Sequence, residues 1–220
     1  MTHSPQTPLL SVKRSQLVVI DVQERLLPVI RDGLSVATSI RFLMDAASIL
    51  QVSTIVTEQY PKGLGPTVEL LHNHPATVAM LEKLKFSAAE TLMTEPSASD
   101  LSAQTHPRFR AHQIVLAGIE THICVQQTAL ELFEKGFQVF VAADCVGSRT
   151  ADDHQWALHR MADVGVIITT AEAIAFEWCE RAGNDSFKAL SRLVRDRDTQ
   201  RSDPNSAPNQ QLTGRLGTGR

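Results

Sequence analysis

Six short apolar runs alternate with longer segments of helical periodicity, and this alternation restricts the possible folds more than any other feature. The runs cover residues 16–20, 54–57, 78–81, 114–117, 138–142 and 166–168, most of them rich in β-branched residues. Between them, apolar side chains recur at three- and four-residue spacing. Segment 35–50 carries Val36, Ile40, Leu43, Met44, Ala47 and Leu50 in this way. Strands that alternate with helices imply right-handed βαβ units and a parallel sheet, an α/β fold. Right-handed crossovers bring the carboxyl ends of all strands to one edge, where open sheets bind ligands. Three polar residues stand at such ends: Asp21 after the first run, Lys83 after the third and Cys124 after the fourth. They can meet in space although they are far apart along the chain.

The fourth run is the most informative. Ile114 to Ala117 reads as a central strand, Gly118 breaks it, and Thr121 is expected to cap the helix that follows. From Ile123 onward Cys124, Val125, Thr128, Ala129, Leu132 and Phe133 keep helical spacing until Gly136. Cys124 then lies in the first helical turn, where the positive end of the helix dipole favours thiolate. The competing assignment is a small buried cysteine that packs helix against sheet.

Composition narrows the function classes. A chain of 220 residues, 43% hydrophobic, with net charge −3, supports one buried core. It offers no basic surface for nucleic acid or an anionic membrane. The three cysteines (Cys124, Cys145, Cys179) are widely spaced and fit neither a disulfide framework nor a zinc site, so a reducing cytoplasmic setting is expected. Residues 1–16 lack the apolar core of a signal peptide, and no run approaches the roughly 20 residues that span a bilayer. Residues 1–15 read as a flexible arm, 16–195 as the folded domain, and 196–220, almost without apolar residues, as a disordered tail. Segment 88–110 fits no simple pattern, apart from a helical stretch at 97–104, and its part from 95 to 110 is a candidate to shape a pocket rim.

Three motifs resemble those of the isochorismatase-like cysteine hydrolases. They are Leu17-Val18-Val19-Ile20-Asp21-Val22-Gln23, Glu82-Lys83-Leu84-Lys85-Phe86-Ser87 and Gly118-Ile119-Glu120-Thr121-His122-Ile123-Cys124-Val125. The likeness runs from about Gln16 to Arg195, and residues 144–149, 160–161 and 169–172 also resemble the small isochorismatase-domain-containing proteins. The resemblance implies a six-stranded parallel sheet between two helical layers. It also implies an Asp-Lys-Cys triad, carried over as Asp21, Lys83 and Cys124. The family lysine lies four residues before a serine, which favours Lys83 over Lys85 because Ser87 follows at that distance. The family further implies a cis peptide, here Ile119-Glu120, that helps aim an oxyanion hole built from amides at Glu120 and Cys124. Dimers or larger homo-oligomers are usual in it.

Two departures bear on the chemistry. Nicotinamidases carry a metal site with Asp-X-His after the second strand, and this chain has Thr57-Glu58-Gln59-Tyr60 there. His72 and His74 have no carboxylate at ligand spacing and read as surface residues, so no metal and no other cofactor is expected. Isochorismatases that cleave a vinyl ether lack the cysteine, whereas a cysteine suits attack on an acyl carbon. The expectation is hydrolysis of an amide-type C–N bond in a small molecule through a thioacyl intermediate. The alternative is a catalytically silent oligomeric interaction module of the same fold, and a redox or acyl-transfer cysteine protein is a third reading. Gln23, Gln59, Tyr60 and His122 are candidate pocket residues. Arg149 and His154 are expected in structural pairs with Asp144, Asp152 or Asp153, with binding of a substrate carboxylate as the alternative. Cys145 and Cys179 are expected to be structural, and Trp156 and Trp178 packing or subunit-contact residues.

Overall fold

A computed structural model of the chain describes residues 9–94 and 111–202. Six parallel strands form one sheet in the order β3-β2-β1-β4-β5-β6. They are β1 (Ser15–Ile20), β2 (Thr54–Gln59), β3 (Thr77–Lys83), β4 (Gln113–Ile119), β5 (Gln138–Gly147) and β6 (Ile167–Thr169). The main helices are α1 (Gly33–Leu50), α4 (Gln126–Glu134), α5 (Ala151–Val164), α6 (Ala171–Cys179) and α7 (Asp185–Ser202). Two short ones, α2 (Pro61–Leu64) and α3 (Ala89–Met93), follow β2 and β3.

Burial on both faces explains the strand composition. Every residue of β1 and β4 is buried. Leu17, Val19, Val115, Ala117 and Phe140 pack with α1, α6 and α7 on one side. Val18, Ile20, Ile114, Leu116 and Val141 pack with α3, α4 and α5 on the other. α1 is apolar enough to cross a membrane by length and composition, but it is a core helix with Ile40, Leu43, Met44 and Ala47 fully buried. β3 lies at the edge and runs further than 78–81, with Val78 and Met80 exposed and Leu81 and Lys83 buried.

The sheet order reverses between β1 and β4, which places a crevice at their carboxyl ends. Gly118 makes the close approach there possible. It pairs with Ile20, has φ +127°, and a Cβ on it would lie 2.1 Å from the Ile20 carbonyl oxygen. β5 bulges beside this point, advancing from Val141 to Val146 while β4 advances from Leu116 to Gly118. Within the bulge, Asp144 accepts the Ala171 amide at the start of α6.

Both domain boundaries differ from the expected ones. The arm is packed from Leu10 onward: Leu10 is buried, its amide donates to Glu177, and the Ser11 amide donates to Gln113. Pairing with the buried Gln113 and the half-buried Glu177 overrides the polar composition. At the other end α7 continues to Ser202, and Arg197, 7% exposed, stacks 3.8 Å above the Phe42 ring and pairs with Glu172. Its long side chain covers apolar surface of the core. Residues 1–8, 95–110 and 203–220, with the expected helix at 97–104 and the pocket-rim segment, lie outside the described residues.

Candidate active site

Asp21 follows the last residue of β1 and takes a left-handed backbone conformation, φ 54°, that turns the chain at the sheet edge. Its side chain is fully buried and held from two sides. Thr57 Oγ1 donates to Oδ1 at 2.7 Å, and Lys83 Nζ donates to Oδ2 at 2.6 Å. Lys83 ends β3 with its side chain also fully buried. Its ammonium makes three further contacts, to Gln59 Oε1 at 2.8 Å, the Phe86 carbonyl at 2.8 Å and the Lys85 carbonyl at 3.2 Å. Lys85 itself is exposed and pairs with Glu90, so the two lysines part company at this loop.

Cys124 lies on the other side of the reversal. The Ile119-Glu120 peptide is cis, and residues Thr121–Val125 make one π-helical turn before α4 begins. Thr121 does not cap this turn as the sequence suggests. Glu120 occupies the leading position, and Thr121 Oγ1 shares a hydrogen bond with His154 Nδ1 at 3.0 Å. A wide turn reached through a cis bond leaves no pattern in hydrophobic periodicity. Cys124 is buried near enough to Asp21 for the carboxylate to act on its thiol.

The electrostatics reverse one expectation. Burial and the Asp21 carboxylate push the Cys124 thiol up to about 12, against the opposing pull of Lys83 and a backbone hydrogen bond at Glu120. The resting group is therefore a thiol, and the helix-dipole argument for a standing thiolate loses to desolvation. Cys145 and Cys179 are buried away from this cluster, as expected of packing residues.

The candidate pocket residues divide. Gln23 is fully buried and bonded to backbone, donating to the Gly65 and Gln59 carbonyls and accepting the Gln59 amide. Gln59 turns its side chain to Lys83 and to the Leu84 carbonyl. Tyr60 is exposed. His122 shares a hydrogen bond with Ser148 at 2.9 Å. Arg149 pairs with Glu120 at 2.7 Å, not with Asp144, Asp152 or Asp153. A cavity of about 240 Å³ borders the site beyond Ser148, Thr150 and His154. A second, of about 550 Å³, opens beside Lys83, Leu84 and Met80.

The position of the nicotinamidase metal motif is taken up by internal contacts. Thr57 binds Asp21, Glu58 accepts the Thr67 amide and hydroxyl, and Gln59 binds Lys83. Among the described residues, no group of three His, Cys, Asp or Glu side chains is placed to hold a metal ion. His74 is buried, contrary to its surface assignment: Asp45 on α1 meets its Nε2 at 2.9 Å, and its Nδ1 accepts the Ala76 amide. The partner lies 29 residues away, beyond the reach of local spacing. Trp178 is buried in the core, whereas Trp156 is 70% exposed against His159.

Sequence reasoning missed Thr57 and Thr128. Thr128 Oγ1 donates to the Cys124 carbonyl at 2.6 Å and accepts the Ala88 amide at 2.9 Å, tying the cysteine helix to the lysine loop. A polar residue inside an otherwise apolar strand end was the available signal for Thr57. Thr128 carries none, because a threonine on a buried helix face reads as packing.

Comparison with known proteins places these features in a common context. A family model described as the isochorismatase domain matches residues 15–173. Isochorismatase domain-containing protein 2 of Danio rerio is 36% identical over 185 residues, covering 84% of this chain and 89% of that protein. The solved structure described as MAR1 ribonuclease from Caenorhabditis elegans is 34% identical, with a TM-score of 0.73, and covers 96% of this chain and 99% of that one. The YcaC gene product of Escherichia coli, described as an octameric hydrolase of unknown specificity, shares the fold at 22% identity with a TM-score of 0.68, covering 89% and 98% of the two chains.

Proposed function

The chain belongs to the isochorismatase family, and on that premise we propose that it is a cysteine hydrolase that cleaves an amide-type C–N bond of a small molecule. The observation that carries the reading is the arrangement around Asp21: one buried carboxylate, clamped by the Lys83 ammonium, acts directly on the buried Cys124 thiol. A buried cysteine that only packs a helix has no use for a matched carboxylate and ammonium.

In this reading Asp21 accepts the thiol proton as the sulfur attacks the substrate carbonyl. The transfer moves negative charge from one neighbour of Lys83 to another, so the net charge of the buried cluster stays constant. The carbonyl π electrons pass to oxygen, and backbone amides at Glu120 and Cys124 are the assigned donors to that oxyanion. Asp21 then returns the proton to the leaving nitrogen as the C–N bond breaks. Water attacks the thioacyl carbon, gives a proton to Asp21, and the acid departs as the sulfur regains that proton. Tyr60 and His122 remain candidate contacts to the substrate at the rim.

Met80, Leu84 and Phe86 are exposed on β3 and the loop after it, which supports a homo-oligomer. Sedimentation of the full chain as a dimer or larger species is the expected result.

The test of the activity is amine or ammonia release from a panel of small amides by wild type and Cys124→Ala. Turnover of at least one amide is expected in wild type and none in the variant, at an unchanged melting temperature. Equal turnover by both proteins would overturn the proposal.

A further inference from the structure

Lys83 has three ammonium hydrogens and four acceptors around it, of which only Asp21 is charged. Two of the others are backbone carbonyls of its own loop, which follow Lys83 wherever that loop goes. Gln59 is different. It comes from the neighbouring strand, and its side chain is oriented without ambiguity. Its Nε2 donates to the Leu84 carbonyl at 2.8 Å, so its Oε1 must face the ammonium. Its backbone is held as firmly. Gln23 Oε1 accepts the Gln59 amide at 2.8 Å, and Gln23 Nε2 donates to the Gln59 carbonyl at 3.1 Å. A fully buried side chain from the β1 end thus takes the place of a neighbouring strand at the end of β2.

We infer that Gln59, backed by Gln23, is a positioning residue that sets the Lys83 ammonium against the Asp21–Cys124 pair. The inference rests on the triad reading above and gives Gln59 a role other than contact with substrate. An amide is suited to this task because it fixes the ammonium without neutralising it. A carboxylate in its place would compete with the thiolate for the same positive charge. Thr57 and Gln59 point to the same side of β2, two residues apart, and hold the two charged partners respectively.

The test is the rate of iodoacetamide alkylation at Cys124, located by peptide mass, from pH 7 to 10 in the full chain. Wild type, Gln59→Met, Lys83→Ala and the double variant are compared. Because Lys83 favours the thiolate, Lys83→Ala is expected to slow labelling, and Gln59→Met to slow it about three- to tenfold by moving the whole profile to higher pH. In the Lys83→Ala background, Gln59→Met should change nothing, since it acts through the lysine. If the methionine variant melts early, Gln59→Asn, one carbon too short to span Lys83 and Leu84, should move the profile in the same direction. A Gln59→Met or Gln59→Asn profile that superimposes on wild type overturns the inference. So does slowing that persists at full size without Lys83. A Lys83→Ala profile identical to wild type overturns the triad reading itself, and with it the role of Gln59.

Discussion

Desolvation decides the resting state of the nucleophile. A thiol in the first helical turn, beside a lysine, would ordinarily lose its proton more easily. Here burial and the adjacent Asp21 carboxylate outweigh both effects and raise it to about 12. Alkylation of Cys124 in the absence of substrate should therefore be slow at pH 7 and climb steadily from pH 8 to 10 without levelling. Peptide-mapped labelling rates check this. A plateau already reached at pH 7 would mean a standing thiolate and a different charge balance.

At the scale of elements, two contacts carry most of the site's geometry. The first is the approach of β4 to β1 at Gly118. A methyl group at this position meets Ile20 O at 2.1 Å and Ile20 N at 2.5 Å, both of them backbone atoms in the sheet. Gly118→Ala should cost at least about 3 kcal/mol and lower the melting temperature by roughly 6–12 °C, as seen by calorimetry. The second is the seam between the cysteine turn and α5, where Thr121 meets His154. Burial holds His154 below its ordinary pKa of about 6.5. The unfolded chain then binds a proton at this residue at higher pH than the folded one. Stability from neutral His154 is complete above pH 6.5 and is lost as pH falls below it toward the depressed folded value. A His154→Asn variant should show a shallower loss of melting temperature between pH 6.5 and 5 than wild type.

Over the whole molecule, the parallel sheet was legible because its strands are buried on both faces and composed accordingly. Asp21, Lys83 and Cys124 stood out as polar residues at the ends of apolar runs. What stayed illegible depends on long-range partners. His74 is buried because Asp45 waits on α1, and Arg149 meets Glu120, 29 residues away along the chain. Gln23 and Gln59 resemble pocket residues in the sequence and spend their hydrogen bonds on backbone and on Lys83. The end of the domain was also hidden. α7 looks too polar to pack beyond 195, yet Arg197 shields Phe42, which is 4% exposed. A chain ending at residue 195 should melt at lower temperature than the full chain, and equal melting curves would show that this contact contributes nothing.

The central claim is that Asp21, Lys83 and Cys124 form one electrostatic unit, and it is tested most directly by the alkylation rate of Cys124 at pH 8 in wild type and Asp21→Asn. The carboxylate raises the thiol, chiefly by its charge. Its replacement by a neutral amide leaves Lys83 to favour the thiolate unopposed. Labelling about tenfold faster or more is the expected result, together with loss of any amide turnover. Labelling that is unchanged or slower, in a variant with the wild-type fold, would contradict it.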